Sequence, residues 1–554
     1  MDYARAFYSL NKSLAKYIFS FALPIIGIGI AVMVSLLYFF PRALGSGFAL
    51  YLVYAIPIYC LLFTFIYPFL LFERKKNQID QNMHFFITHL GVLATSDISR
   101  KDLFKILSKK KEYEELAREC EKIYLMMDVW HMSLAEACRF LAKRTPSSIF
   151  ADFLDRFAHA VESGTDLEEF LKSEQKVVMN DYAVMYRGAL YDIDIIKEML
   201  ISIIISMVFF VCFAIIMPFL TGQDPVVMMG ISTFMFVVIE LFMLFFIKSK
   251  VPKDQVWHSI NMKTPIEVKF KRAFLLSMGC CLAVALIVFL EGRFLPLAIK
   301  LALAVTPLLY IGFVAKKEEA LVRRRDESYA EFIRSLGASA DARGGILESA
   351  LKYLTSHDFG VLTQNIRDLY NRLMLRIDKL TSWRYFAAES GSNLIQRFSE
   401  MFIEALHIGG RPYHIGLIIS NNFVDLSALR RQRFQTTASL IGIMYGLQAG
   451  LTFSLYISYG VVKMMNSMFS NIELPREVVG SILFVSMPWD LEIISILLLV
   501  IIIAHSVISA VAIRVVDGGH IFSSLTHFVI MMWIGSIVAV VTETLLNSML
   551  AIQF

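Results

Sequence analysis

Long uninterrupted apolar runs alternate along the chain with two extended stretches in which apolar residues recur every three or four positions among charged ones. The runs lie near residues 17–40, 48–72, 199–219, 226–247, 274–290, 295–315, 437–463, 491–515 and 525–551. About 20 predominantly apolar residues cross a bilayer as a helix, so the pattern predicts about nine transmembrane helices. The fifth run is short, and only "EGRF" parts it from the sixth. Arg5, Lys12 and Lys16 precede the first run in the manner of a signal peptide. That run is too long for one, and "FFPRALGSG" leads directly into the next span, so it is read as a membrane helix.

The spans group as two, four and three, which divides the chain into segments 1–72, 73–198, 199–315, 316–436 and 437–554. The second and fourth segments carry the helical period and start signals between helices. Ser133 with Glu136 and Thr165 with Glu168 have the spacing of capping boxes, in which a hydroxyl and a carboxylate satisfy free amides at a helix start. "FADFLDRFAHAV" places Phe150, Phe153, Leu154 and Phe157 on one stripe that must be buried against other helices. No alternating Val/Ile/Thr-rich run suggests a sheet. The expected fold is all-α: a polytopic membrane protein with two water-soluble helical bundles.

The two bundles are related. "FITHLG" (86–91) and "FIRSLG" (332–337) stand 246 positions apart, and the same offset pairs Phe86 with Phe332, Gly91 with Gly337, Phe140 with Phe386 and Gly164 with Gly410. Two amphipathic regions can resemble each other by chance. Coincident glycines, aromatics and spacing over about 80 residues favour an internal duplication.

Composition agrees with the membrane reading: 57% of residues are hydrophobic, 18% are charged, and the mean hydropathy is +0.60. Basic residues gather at the N-terminus, at 73–76, at 248–272 and at 316–325, on one side if every span crosses. The tendency of Lys and Arg to remain inside then sets the N-terminus and both bundles in the cytoplasm and the C-terminus outside. A net charge of +5 that follows the topology gives no reason to expect nucleic-acid binding.

An F-x-x-x-L-G start, a glycine after "ES" (162–163) and an apolar anchor beyond it resemble the type II secretion system F domain. Two such domains among nine spans, ending in "VDGGHIFSSLTHFVIMMWIGSIV" with Gly518, Gly519 and His520, are similar to the archaellum assembly platform family (FlaJ/ArlJ). The resemblance implies a platform in the cell membrane that works with a separate hexameric ATPase and with pilin-like filament subunits (archaellins). An adhesive-pilus or type II secretion-like platform has a similar layout. A secondary transporter or a membrane scaffold also fits the hydrophobicity, but neither explains the duplicated bundles. One duplicated chain could stand in for two single-domain copies, and a homodimer is a further expectation.

Candidate chemistry is sparse. No G-x-x-x-x-G-K-[ST], H-E-x-x-H or G-x-S-x-G motif occurs, so no enzymatic activity and no cofactor are expected. The six cysteines read as packing residues. His84 and His89, or His407 and His414, match no zinc spacing, and no metal site is expected. Glu240 lies within an apolar span, where a carboxylate is costly and marks either a helix-orienting contact or a functional group. The basic clusters Lys109, Lys110, Lys111, Arg323, Arg324, Arg325, Arg430, Arg431 and Arg433 serve lipid headgroups or, on the resemblance, dock the ATPase.

Overall fold

The computed structural model describes residues 14–39, 47–96, 98–221, 223–292, 295–470 and 491–553. Arg5 and Lys12, together with residues 41–46 and 471–490 of two predicted outer loops, lie outside them. The described residues are largely helical, without a named strand among them. A turn at Leu14–Tyr17 and a π-helical stretch at Ile18–Ala22 lead into α1 (Leu23–Phe39). There follow α2 (Gly47–Leu93), α3 (Arg100–Ser108), α4 (Glu115–Asp128), α5 (Leu134–Ala142), α6 (Ser148–Glu162), α7 (Leu167–Thr221), α8 (Pro225–Lys250), α9 (Pro265–Glu291) and α10 (Leu297–Val305). The chain continues as α11 (Leu308–Asp341), α12 (Leu347–Leu354), α13 (Thr363–Met374), α14 (Lys379–Ser390), α15 (Asn393–His407), α16 (Pro412–Ser470), α17 (Leu491–Asp517) and α18 (Ser524–Gln553).

Eight described helices are long and apolar enough to cross a membrane, and α10 with α11, bent by 45° at their break, makes a ninth if the pair is one span. Pro307 stands at that bend, where a residue without an amide hydrogen interrupts the helical ladder. Pro225 and Pro265 instead occupy the first turns of α8 and α9, where the missing amide costs nothing, behind Asp224 and Thr264 as caps.

The duplication is visible in the order of elements. A long helix (α2 or α11), a short helix, a single 3₁₀ turn (Lys111–Tyr113 or Gly360–Leu362), three further helices and a second long helix (α7 or α16) occur twice. All four long helices run without a break across the expected boundaries at 72, 198, 315 and 436, so bundle and span share a helix in each case. Phe86 and Phe332 are fully buried at the centre of their repeats. Phe86 meets Phe150 and Phe153 edge-on at 5.9 and 6.0 Å, and Phe332 packs against Phe359 and Phe386 at 5.6 and 5.8 Å. The predicted stripe of Phe150, Phe153, Leu154 and Phe157 is wholly buried.

The repeat register is not constant. From the turn before α5 onward the structural equivalence is 245, so the counterpart of Gly164 (φ +72°) is Gly409 (φ +87°), and Gly410 has no left-handed φ. Each of the two left-handed glycines ends the helix before it, α6 or α15. Gly410 is small for another reason: a Cβ there would stand 2.9 Å from Thr95 Oγ1 and from the Ala405 carbonyl. Gly91, by contrast, leaves room, since its nearest neighbour would be Leu171 at 4.0 Å. The Ser133–Glu136 capping box is formed. The second is not: Asp166, one residue nearer the helix, accepts from the Glu168 amide, and Thr165 bonds Ser163.

By contacts the described chain forms two compact units. One holds the residues up to Ala183 together with Glu404–Asn422, and the other holds Val184–Ile403 and Phe423 onward. The end of the second repeat thus clusters by contacts with the first.

Candidate functional site: a buried arginine junction

Helix α16 carries the "LRRQR" cluster in its middle, and its two faces part company. Arg431 is exposed, whereas Arg430 and Arg433 are buried, 3% and 2% accessible. Burying a guanidinium is costly unless it is paired and hydrogen-bonded, and here every guanidinium nitrogen of both residues has a partner. Arg430 grips Asp254 with both arms (2.8 and 2.6 Å), donates to the Gln255 carbonyl (2.6 Å) and approaches Asp326 of α11 at 3.4 Å. Arg433 donates to the carbonyls of Val516 (2.5 Å), Asp254 (2.7 Å) and Val515 (3.2 Å).

The glycine pair after α17 is shaped to this cluster. Gly518 has φ +75°, and a Cβ there would lie 2.6 Å from Arg433 Nη2. A side chain on Gly519 would run into the Glu319 carboxylate, which accepts from the His520 amide at 2.5 Å. Asp517 takes both contacts from Arg323 at 3.1 Å, and the Arg323 guanidinium lies 3.5 Å above the ring of Phe434. The segment between α8 and α9 completes the junction. Its Trp257 pairs with Ser392, the His258 amide donates to Gly391, and the Asn393 amide donates to Val256. Four sequence-distant pieces therefore meet on α16: the 251–264 segment, α11, the start of α15 and the α17 end.

Of the residues expected to dock a partner, Arg430 and Arg433 are consumed inside the protein and present no charge to solvent, which corrects that expectation. Arg325 also turns inward, donating to the Ser390 carbonyl at 3.0 Å. Arg324 and Arg431 are exposed, as are Lys109 and Lys111.

Lys110 belongs to a second cluster, inside the first unit. Its ammonium lies 2.8 Å from Glu404, which His89 approaches at 3.0 Å. Burial opposes the Glu404 carboxylate, but His89 and then Lys110 overcome it and hold its pKa at about 2. Beside it Asn422 donates to Thr88, and His414 reaches Glu168 at 2.6 Å. Glu240 meets His505 of α17, with both side chains buried. Among the described residues no group of three His, Cys, Asp or Glu could hold a metal ion. Burial pushes the Cys138 thiol up to about 12 and Cys120 up as well, in keeping with packing roles.

Sequence reasoning missed the acidic partners Asp254, Asp326, Glu319, Glu404 and Asp517. One signal was available. Asp80 and Asp326 are related by the 246 offset, and each carboxylate bonds the serine that starts the last short helix of its repeat, Ser147 or Ser392.

The type II secretion system protein F family matches residues 86–218, the greater part of the first repeat and the span that follows it. A protein named flagella accessory protein J from Methanocaldococcus jannaschii is 42% identical over 521 residues, covering 92% of each chain. Another of the same name, from Methanococcus voltae, is 39% identical over 545 residues and 96% of each chain. No solved structure matches the chain significantly.

Proposed function

The chain belongs to the family of flagella accessory protein J, and on that premise we propose that it couples a separate hexameric cytoplasmic ATPase to the insertion of pilin-like subunits into an archaellum-type filament. It is a multi-pass membrane protein and a platform of the type IV pilus-like class. The observation that carries the coupling is the continuity of α2, α7 and α16 from bundle into span, whereas α11 runs into its span only as far as the bend at Pro307. An unbroken helix passes on tilt and rotation, which a flexible linker would absorb. Both bundles and the N-terminus face the cytoplasm, where basic residues at 73–76, 248–272 and 316–325 gather. The exposed Lys109, Lys111, Arg324 and Arg431 are the cations left free to meet the ATPase, while the arginine junction keeps α16 tied to its neighbours under load. A homodimer would present four bundles to the ring.

The test is the full-length protein in lipid nanodiscs mixed with the cognate secretion ATPase, with hydrolysis rate as the readout. A changed rate that reverts when Lys109 and Lys111 are both replaced by Glu is the expected result. An unchanged rate with folded protein would leave the coupling role without support.

A further inference from the structure

The first repeat carries an apolar groove that the coupling reading does not use. Leu125 and Met126 of α4, with Val129 and Trp130 of the turn that follows it, line a groove with Phe140 and Leu141 of α5 that holds about 400 Å³. Trp130 meets Phe140 edge-on at 6.4 Å, yet Val129 and Trp130 are 61% and 63% exposed. Beside the wholly buried Phe86, Phe104, Phe150, Phe153 and Phe157 of the same bundle, these side chains are an unfilled hydrophobic contact.

The charges around the groove are sorted by depth. Glu115 and Glu119 are sunk in its wall, with side chains 4% and 3% exposed. The cations that neutralise them reach outward: Lys75 pairs with Glu115 at 2.9 Å, Arg118 with Glu115 at 2.8 Å, and Lys122 with Glu119 at 2.7 Å. Arg144 stacks 3.6 Å above Phe140 at the rim. An approaching molecule therefore meets an apolar floor framed by positive charge.

The second repeat keeps the same turn, which is a separate observation. His131 (φ 50°) and Arg376 (φ 56°) are equivalent at the offset of 245, and both adopt a left-handed conformation uncommon for residues other than glycine. Two residues on, Ser133 and Asp378 cap α5 and α14. Directly before Arg376, Met374 and Leu375 are 58% and 76% exposed, as Val129 and Trp130 are before His131. The residue identities have changed, while an outward apolar pair directly before a left-handed turn residue has stayed.

We propose that the α4–α5 groove is a docking site for an acidic amphipathic helix of a soluble protein partner. The helix would lay its apolar stripe on Val129, Trp130 and Phe140 and its carboxylates against Lys75, Lys122 and Arg144. A channel between two helices accepts a third by the packing of ridges into grooves, and the exposed cations select an acidic one. A lipid surface would suit a flat array better than a channel with an aromatic floor.

The probe is a synthetic 18-residue helix with a Leu/Phe stripe and glutamates on its other face, titrated by fluorescence anisotropy against the full chain in phosphatidylcholine nanodiscs. The same stripe backed by lysines is the control. The acidic probe should bind at least tenfold more tightly than the basic one. Trp130→Ala and Lys122→Glu with Arg144→Glu should each weaken it tenfold or more, whereas Arg431→Glu should leave it unchanged. Thermal melts check that the variants fold; the exposure of Trp130 makes that the expected outcome for Trp130→Ala, which carries the test if loss of the Lys122–Glu119 pair unfolds the charge-reversed variant. Equal binding of both probes, or binding indifferent to Trp130→Ala, overturns the proposal. In native membranes a photocrosslinker at Val129 distinguishes the occupants. An adduct on an acidic helix of a soluble protein, lost with Lys122→Glu, supports it; an adduct on lipid or on a second copy of this chain overturns it.

Discussion

Arg431 lies between Arg430 and Arg433 in sequence and differs from both in what decides stability, since it is exposed and they are buried and bonded. Removing Arg433 strands the carbonyls of Val515, Val516 and Asp254 and leaves space under Gly518. Breaking a buried charged contact of this kind costs about 3–5 kcal/mol. Arg433→Ala and Arg430→Ala should therefore lower the melting temperature of the detergent-solubilised protein sharply, while Arg431→Ala should change stability by no more than about 0.5 kcal/mol. A sequence shows that α16 is basic; it does not show which of its arginines finds an aspartate 176 positions earlier. That information lies in tertiary packing, and only the glycines at 518 and 519 hinted that something large stood against them.

Glu404 offers a pH test. Its native pKa of about 2 lies below the ordinary carboxylate value, so the unfolded chain binds its proton more readily. The stabilisation is fully present above the ordinary range near pH 4.5 and is lost as the pH falls through that value towards 2. Glu404→Gln should flatten the acid limb of the melting-temperature profile and leave the values above pH 6 lower throughout. An unaltered acid limb would remove Glu404 from the account.

At the level of elements, the apolar runs and the helical period were legible because membrane insertion and bundle packing both write themselves into composition. The shortness of the fifth run and the narrow "EGRF" divider were legible, but the bend within the sixth span, at Pro307, was not. The change of register from 246 to 245 was not legible, because one residue lost in a turn leaves the aromatic pattern almost intact. Continuity of the long helices was likewise hidden, since a helix entering a bundle changes its polarity without changing its backbone. It makes a sharp prediction. Tyr191, 66% exposed on α7, can be replaced without touching a core. Proline there removes a helical hydrogen bond and kinks the helix at a cost of about 3 kcal/mol. Tyr191→Pro should abolish filament assembly while ATPase binding persists, and Tyr191→Ala should do neither.

For the whole molecule, the proposed orientation follows from basic loops and is open to chemical labelling. In a chain freed of its native cysteines, Gln223→Cys should react with an impermeant maleimide added to intact cells. Lys109→Cys should react only after the membrane is opened. The reverse pattern would invert the topology. The nine spans and the duplication were readable from sequence alone, and so was the family. The partition of the chain into units was not, because Glu404–Asn422 has the same helical pattern wherever it packs.

That partition bears on how the protein is made. The first unit needs Glu404, His414 and Asn422 to meet His89, Glu168 and Thr88. At a synthesis rate of about 5–20 residues per second, the ribosome leaves the early part of the chain waiting roughly ten to fifty seconds for them. During that interval His89 and Thr88 lack their partners, and four more spans must enter the bilayer. A nascent chain stalled before residue 404 should be cut by protease within the first repeat, and one stalled well beyond 422 should resist.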